Sequence, residues 1–573
     1  MPELSRTPIL IVGAGCGGFA AALAVARGGG SCVLTEPTGW VGGQLTSQAV
    51  PPDENAWIEG RDGVQSATRS YLDFREAVRA RYRETEHLTP EAAADPHLNP
   101  GDGWVSRLCF SPRIGHKVLM ETLRPHVEAR RITLLLEHEP VAADCDGDRV
   151  KSVTVRGPGG AETVIEAGFF LDATEAGDLY PLTGCEHAVG AECRDAYGEL
   201  HAPAEGGMGP GSSHPRDQQA VSWCFAMEHR PGEDHAGPEP PGYARWRSFV
   251  PELDPPWCGP LFSWLSPGVD ERPCEMGMVP WPDEPAGGAW ELWRYRRIVD
   301  AAAHTDGRPD VCLVNWVQMD QFVEPVLGVE PEAAAAALDL AKEQAACLLH
   351  WMQTEAPRHD GGTGYPGLKL RGEELGTADG FAKAAYVREP RRLLARTVVH
   401  EGHVGVAQRR AAGEPDEPAI AAVLGEPVPA AEPFADSVGV GHYRLDLHPS
   451  CAGRNSVYVE AAPYRIPLGS LIPVRVENLL AAGKGFGVSH VVNGCTRLHP
   501  VEWNVGEAAG ELALWCRERT RTPAAVHADP AEVARFRARL RGRGFALSWP
   551  WEPEPGGGGR GNAESTRKNA PAP

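Results

Sequence analysis

The sequence predicts an α/β fold in which a parallel-sheet domain is assembled from two separated stretches of chain, with an α+β domain inserted between them. Three observations predict it. Near the start, "ILIVGAGCGGFAAALAVA" reads as a short apolar strand, a glycine turn and an alanine-rich helix. Shortly after, "SCVLTE" reads as a second strand that ends on a carboxylate, Glu36. Far along the chain, "ENLLAAGKG" gives another apolar strand and glycine turn, followed by a terminal helix. A strand, a G-x-G-x-x-G turn, a helix and a following acidic strand end together make the Rossmann-type unit that binds a dinucleotide.

Size and charge bound the possibilities. At 573 residues the chain is too long for one ordinary core. Its 42% hydrophobic and 23% charged residues are a globular composition. A net charge of −22 repels phosphate backbones and excludes nucleic acid as the expected partner. The opening apolar run holds Gly13, Gly15, Gly17 and Gly18, and Arg27 with Gly28 to Gly30 stops it short. A spanning helix needs about 20 mainly apolar residues, and a secretion signal needs a basic start and a cleavage site. The expectation is a cytoplasmic protein with no membrane partner. The 14 cysteines are scattered with no C-x-x-C pair, which reads as reduced thiols rather than a disulfide framework or zinc site.

Taken in order, Ile9 to Val12 form the first strand. Gly13 permits the turn, Gly15 lets a pyrophosphate approach the backbone, and Gly18 lets the helix pack on the strand. The helix, Phe19 to Arg27, presents free N–H groups and its positive dipole end to the phosphates. Glu36, eighteen residues beyond Gly18, suits ribose hydroxyls. "PTGWVGGQLTSQ" carries Gly42 and Gly43, where the backbone can pass close to a cofactor. "ITLLLEHEPVAADCDGDRVKSVTVRG" reads as a strand, then Val141 and a β-meander around the turn at Asp146 to Asp148. "GFFLDATEAGDL" is a buried strand ending in Asp172, Ala173 and Thr174. Residues 200–290 are rich in Pro, Gly and Trp. They read either as a cover over the site or as an irregular insertion with buried tryptophans. Pro331 opens a long alanine-rich helix. Residues 411–435 read as a Pro/Glu/Ala loop, and the terminal helix is expected to start near Gly506. The division expected is 1–200 with 455–545 as the nucleotide domain, 201–454 as the substrate or cap region, and 552–573 as a disordered tail.

As a set, "VGAGCGG", "GGQLTSQ", "LDATEAGDL", "VNWVQMD", "YVREPRR", "YRLDLH", "YRIPLGSLIPVRVENLLAAGKG", "VSHVVNGCTRLHP" and "GEAAG" resemble the FAD-dependent oxidoreductase family with a glutathione-reductase-like FAD fold, in its branch marked by G-G-Q after the ribose acid. The resemblance implies one non-covalently bound FAD and redox chemistry on a small organic molecule. It implies that Gly13, Gly15, Gly18 and Glu36 hold adenosine and pyrophosphate, and that Gly42, Gly43 and Gln44 lie along the flavin. Asp172, Ala173 and Thr174 would support the strand beside the nucleotide, with Val141 nearby. Gly483, Lys484 and the helix start at Gly506 would cradle the ribityl chain and pyrimidine. The chain departs from the pattern in three places. "VNWVQMD" lacks a proline and glycine after Asn315 and Trp316, Lys484 replaces an arginine, and "REPRR" carries an internal proline. These departures bear on the substrate rather than the cofactor.

A flavin that oxidises a substrate takes a hydride at N5 while a base removes the companion proton, and histidine suits that base. His490 stands first, because it follows the strand and turn that reach the flavin, and His448 second. Arg497 is expected to face the flavin. Arg388, Arg391 and Arg392 could anchor a carboxylate, but Glu389 beside them favours an ion-pair network. His400 and His403 flank Glu401 without an evident third ligand, so no metal is expected. Cys16 reads as a packing residue. No cysteines lie between Cys32 and Cys109, and "GMGPGSSH" has a proline where a second nucleotide turn would need none. Neither a disulfide reductase nor a dedicated NAD(P)H domain fits. The electron acceptor is then oxygen, a quinone or a carrier protein. The expected activity is dehydrogenation of a small molecule at a carbon bearing a hydroxyl or amine. The alternatives are a monooxygenase reduced by free NAD(P)H and a redox-silent FAD-binding partner protein. The tryptophans of the middle region hint at an apolar or ring-shaped ligand.

Overall fold

Ile9, Leu10, Ile11 and Val12 are all fully buried, and a strand apolar on both faces belongs inside a parallel sheet. The computed structural model describes residues 3–60, 63–204, 214–267, 273–280 and 290–552. Its first stretch runs β1 (Glu3–Val12), α1 (Cys16–Arg27), β2 (Cys32–Glu36), α2 (Arg69–Thr85), α3 (Pro112–Glu128), β3 (Ile132–Leu136), β4 (Glu139–Asp146), β5 (Arg149–Arg156) and β6 (Glu162–Asp172). The sheet order is β3-β2-β1-β6-β5-β4. β1 pairs parallel with β2 (Leu10 beside Val33) and with β6 (Ile11 beside Leu171). β4, β5 and β6 form the antiparallel meander, turning at Gly147 as expected. Val141 is the extra residue of a bulge in β4, between Pro140 and Ala142.

The middle of the chain builds a second sheet. Its strands are β7 (Phe225–His229), β8 (Arg297–Val299), β9 (Val311–Val314) and β10 (Leu368–Leu370), with α4 (Pro331–Thr354) between the last two. They pair antiparallel in the order β8-β9-β7-β10. The tryptophans of this region mostly build its core: Trp246, Trp257, Trp293 and Trp351 pack with Phe225 and Leu348. Residues 411–435 are not the plain loop their composition suggests. Strand pairs at 416–417 and 428–429 bracket a short helix, Pro418–Leu424. Pro418 sits in its first turn, the Glu417 side chain accepts from Ala419 N, and Gly425 closes it in the left-handed region.

The last stretch runs β11 (Ser437–Gly441), β12 (Leu445–Leu447), β13 (Val457–Val459), β14 (Tyr464–Pro467), β15 (Leu479–Ala481), α5 (His490–Thr496), α6 (His499–Arg519) and α7 (Pro530–Gly542). β15 returns to the first sheet and pairs parallel with the end of β6, Leu480 beside Leu171. The expected helix start at Gly506 is corrected. α6 begins at His499, with Pro500 in its first turn, and Gly506 lies mid-helix. A Cβ on Gly506 would overlap the carbonyl of Gly17, so the glycine serves helix contact and not a turn. The expected tail beyond residue 552 and most of "GMGPGSSH" lie outside the described residues. All 14 cysteines are free. Among the described residues no helix is long and apolar enough to cross a membrane.

Candidate functional site

β1, α1 and β6 converge where the glycine turn leaves the sheet. Gly13 holds φ +92°, a left-handed conformation, with Ala173 close against it. A Cβ on Gly18 would overlap the Gly13 carbonyl. Gly15, which opens α1, has no side chain to cap it, and Gly17 N in the first turn meets a carboxylate from elsewhere in the chain, Glu502, at 3.4 Å, as the N–H groups of an anion site would. Gly42 N donates to Ala14 O at 2.7 Å, which seats the Gly42–Gly43 turn against this mouth. Glu36 is buried at the end of β2. Its carboxylate accepts from Ala14 N at 3.0 Å, Thr38 N at 3.1 Å and Thr38 Oγ1 at 2.7 Å. Burial pushes its pKa up to about 7. Asp172 accepts from Thr174 N at 3.0 Å, Thr174 Oγ1 at 2.7 Å and Leu179 N at 2.9 Å, and so fixes the turn after β6. Gly483 follows β15 with ordinary contact room for a Cβ against Ala173.

Two carboxylates that the motifs do not announce stand at the mouth of α1. Glu175 Oε1 is buried without a hydrogen-bond partner. A Cβ on Gly15 would lie 2.5 Å from it, and one on Gly43 would overlap it. Glu502, in the first turn of α6, accepts from Gly17 N at 3.4 Å and from Gln44 Nε2. Burial, then the nearby Glu175, pushes the Glu502 carboxyl up to about 7. Lys484 Nζ donates to Glu175 and, at 2.8 Å, to Val387 O. A carboxylate between two glycine turns at an uncapped helix start holds the place that suits an anion. The glycine cradle, the N–H groups at the start of α1 and the ribose-type carboxylate Glu36 therefore fit a dinucleotide whose diphosphate takes the position Glu175 fills.

Beyond the mouth, a cavity of about 330 Å³ is lined by the middle of the chain beside β8 and β9, by β12 and β13, and by Arg497 just after α5. Asp53, Arg296, Arg388, Asp446, His448 and Arg497 give it charge, and Tyr295, Trp316, Tyr386, Tyr443 and Tyr458 give it aromatic wall. Arg497 donates to Tyr386 Oη at 2.8 Å and Asp446 O at 2.9 Å. His448 lies just after β12 and points Nδ1 at Asp320 Oδ2, 2.5 Å away. The other oxygen of that carboxylate meets Arg388 at 2.9 Å and Ser222 Oγ at 2.8 Å. Burial alone would raise the Asp320 carboxyl, but Arg388 and His448 hold it below the usual range. His448 lines the cavity, and its Nε2 lies 3.8 Å from Asp446 Oδ2.

The structure does not bring His490 to this cavity. Its ring is 1% exposed. Nδ1 lies 2.9 Å from both Glu389 oxygens, and Nε2 lies 2.7 Å from Arg454. Burial, then Arg454, pushes its pKa down to about 3. Arg392 pairs with Glu389 and Glu192, and Arg454 forks onto Asp217 at 2.7 and 2.9 Å. His490 is thus a member of a buried ion network that ties the chain's segments together, and a base needs access to substrate. Arg391 pairs with Asp178 at 3.0 Å. The rings of His400 and His403 lie 3.8 Å apart, tilted by 37°, at the start of a short helix, Glu401–Val404. Among the described residues no group of three or more His, Cys, Asp or Glu side chains could hold a metal. The motifs had displayed Asp320 ("VNWVQMD") and Arg388 ("YVREPRR"), but their meeting with His448 is a tertiary fact. Arg296 and Glu502 carried no local signal.

The sequence model of the family described as "FAD dependent oxidoreductase" matches residues 8–540. No curated protein matches the chain. Solved structures with partial likeness include L-proline dehydrogenase from P. horikoshii, at 14% identity over 35% of this chain and 26% of that one, TM-score 0.18. They include p-nitrophenol 4-monooxygenase PnpA from Pseudomonas putida DLL-E4, at 14% identity over 40% and 49%, TM-score 0.23. The anhydrotetracycline hydroxylase OxyS from Streptomyces rimosus matches at 17% identity over 41% and 39%, TM-score 0.21. The chain spans between a quarter and a half of the length of these structures. With the nucleotide cradle in place and the family match running across nearly the whole chain, the protein belongs to the FAD dependent oxidoreductase family.

Proposed function

We propose that this oxidoreductase dehydrogenates a small organic molecule at a carbon bearing a hydroxyl or amine, with His448 as the base. Gly13, Gly15, Gly18 and Glu36 would hold the adenosine and diphosphate of FAD, and Gly42, Gly43, Gln44 and Lys484 would line its path toward the cavity. Bound FAD supplies the two-electron acceptor for the substrate's hydride. The observation that carries the reading is the His448–Asp320 pair at the cavity wall. Asp320 accepts the Nδ1 proton of His448, which fixes the tautomer and leaves Nε2 as the acceptor. Nε2 takes one hydroxyl or ammonium proton as the substrate's C–H carbon gives up its hydride, so the product is a carbonyl or an iminium ion. Arg388 holds Asp320 as a carboxylate, and so keeps the imidazolium that forms on proton transfer paired. Arg497, tied to Tyr386 and Asp446, is placed as a fixed positive charge beside the reacting centre.

The test is anaerobic reduction of the holoenzyme by an oxidisable substrate found in a metabolite screen. His448→Asn is expected to slow flavin reduction by about 10²-fold or more, and Asp320→Asn to slow it less while moving its pH dependence. Unchanged reduction in both variants would remove the assignment. Bleaching by NAD(P)H alone, with no organic substrate able to reduce the flavin, would replace dehydrogenation with a monooxygenase cycle.

A further inference from the structure

We infer that the cavity takes a carboxylate-bearing substrate, anchored by Arg296, and that an amine or hydroxyl of the same molecule donates to Asn315. This deepens the reaction proposed above and rests on it for the cavity being the substrate site. The substrate class that follows is an amino or hydroxy acid with an apolar or aromatic body.

Arg296 immediately precedes β8 and lines the cavity. Its side chain is 9% exposed. A guanidinium keeps its charge at any working pH, and burying it is costly unless an anion and hydrogen-bond acceptors meet it. The other two cavity arginines are well met: Arg388 has Asp320, Ser222 Oγ and Ala220 O, all at 2.9 Å. Arg497 has Tyr386 Oη at 2.8 Å and Asp446 O at 2.9 Å. The hydrogen bonds of Arg296 to Pro51 O and Asp53 Oδ1 are both 3.5 Å long, and this length sets it apart, since Nε is without a partner in all three arginines. Asp53 is the carboxylate that faces it, through one oxygen at that distance, where a forked arginine–carboxylate pair would close to about 2.7–2.9 Å. The guanidinium also lies over the ring of Tyr295, 4.9 Å from its centroid, which orients its plane without neutralising it.

Two neighbours on the cavity wall are unpaired in a matching way. Trp316 Nε1, a donor, and Asn315 Oδ1, an acceptor, are both buried without partners. Arg296 and Trp316 thus offer N–H groups to an anion, and Asn315 offers an acceptor to a donor. The remaining wall, with Met276, Leu292 and Val317 beside the tyrosines, is apolar or aromatic. A ligand that satisfies all three orphans carries a carboxylate and an N–H or O–H group on one skeleton, in the cavity that His448 also lines.

The experiment uses benzoate and its neutral isostere benzamide as probes, titrated into holoenzyme by calorimetry with the flavin spectrum followed in parallel. Benzoate is expected to bind at least about tenfold more tightly than benzamide. Arg296→Gln is expected to abolish that preference, and Arg296→Lys to keep part of it, with flavin content and melting temperature measured on each variant. Should Arg296→Gln not fold, the preference in the unsubstituted protein and its weakening in Arg296→Lys decide the question. Equal affinity for both probes, no binding of benzoate, or benzoate binding undiminished in Arg296→Gln or Arg296→Lys would overturn the inference. His448→Asn, titrated alongside, is expected to bind benzoate undiminished while losing substrate oxidation. Retained oxidation in that variant therefore sinks the proposed base and leaves the anchor standing.

Discussion

Two acidic side chains meet at the mouth of α1, where a dinucleotide's own negative charge would have to settle. Glu175 is paired to Lys484, and Glu502 is held by Gln44 and Gly17 N. Replacing Glu175 with Gln keeps the shape, removes one like charge from the diphosphate position and frees Lys484 for the phosphates. Coulomb repulsion at a few ångströms in a partly buried site is several kcal/mol at most, so Glu175→Gln is expected to tighten FAD binding by about tenfold. Quenching of FAD fluorescence on titration into apoprotein measures this directly. Weaker binding would show that the carboxylate assists the cofactor and does not compete with it. Glu36 differs from this pair because two of its hydrogen bonds come from Thr38, just past its own strand, and the third from Ala14 N in the glycine turn of the same βαβ unit, which is why a motif could find it.

At the scale of elements, α1 and α6 approach closely enough that backbone meets backbone. Gly506 faces the Gly17 carbonyl, and Gly510 sits against Ala21 with its Cβ position 2.6 Å from the Ala21 oxygen. Neither helix can yield without moving the turn that forms the nucleotide cradle. Gly506→Ala is expected to cost about 1–3 kcal/mol in denaturant unfolding and to weaken FAD binding, although alanine favours helix. Gly542→Ala, at the end of α7 with open space around it, is the control and is expected to be neutral or slightly stabilising. Equal effects of the two would remove the close-contact argument. The same helix shows what sequence can and cannot tell. The turn at Gly13 to Gly18 and the strand end at Glu36 are legible because strand, turn, helix start and acidic strand end lie within one βαβ unit. Gly506 was misread as a helix start because glycines flank helices more often than they pack inside them, while the Pro500 signal six residues earlier marked the real one. His448, Asp320 and Arg388 come from three separate segments, so each motif was visible and their meeting was not. The tryptophans of the insertion read as ligand wall or core with equal force in sequence. Only their periodic neighbours in β7 and α4, brought together by folding, make most of them core.

Across the whole molecule, buried ionisable groups set the dependence of stability on pH. Burial raises Glu36, Asp172, Glu199, Glu502 and Glu507 to about 7, from ordinary values of 4.5 for Glu and 3.8 for Asp. Between those values the folded state keeps protons that the unfolded chain has released, so each such group lowers stability as pH rises toward 7. Burial lowers His229, His403, His442 and His499 to about 4, and His490 to about 3, from an ordinary 6.5. There the unfolded chain holds the extra protons, so these groups raise stability as pH rises toward 6.5. The two sets nearly cancel around pH ~5.5, and above it the carboxyls near 7 keep more protons in the folded state than histidines of 6.5 keep in the unfolded chain. Stability is therefore expected to peak near pH ~5.5 and to fall toward pH ~8, each fully titrating group contributing about 1.4 kcal/mol per pH unit. Glu507→Gln isolates one term away from the nucleotide: its carboxyl accepts from Ser70 Oγ at 2.5 Å between α2 and α6, and the amide oxygen can still accept that bond. The variant is expected to match the unsubstituted protein near pH ~5, to exceed it at pH ~8, and so to flatten the decline in melting temperature. A melting temperature that rises from pH ~6.5 to pH ~8, or a Glu507→Gln profile parallel to the original, would mean that these carboxylates are ionised and compensated in the folded state.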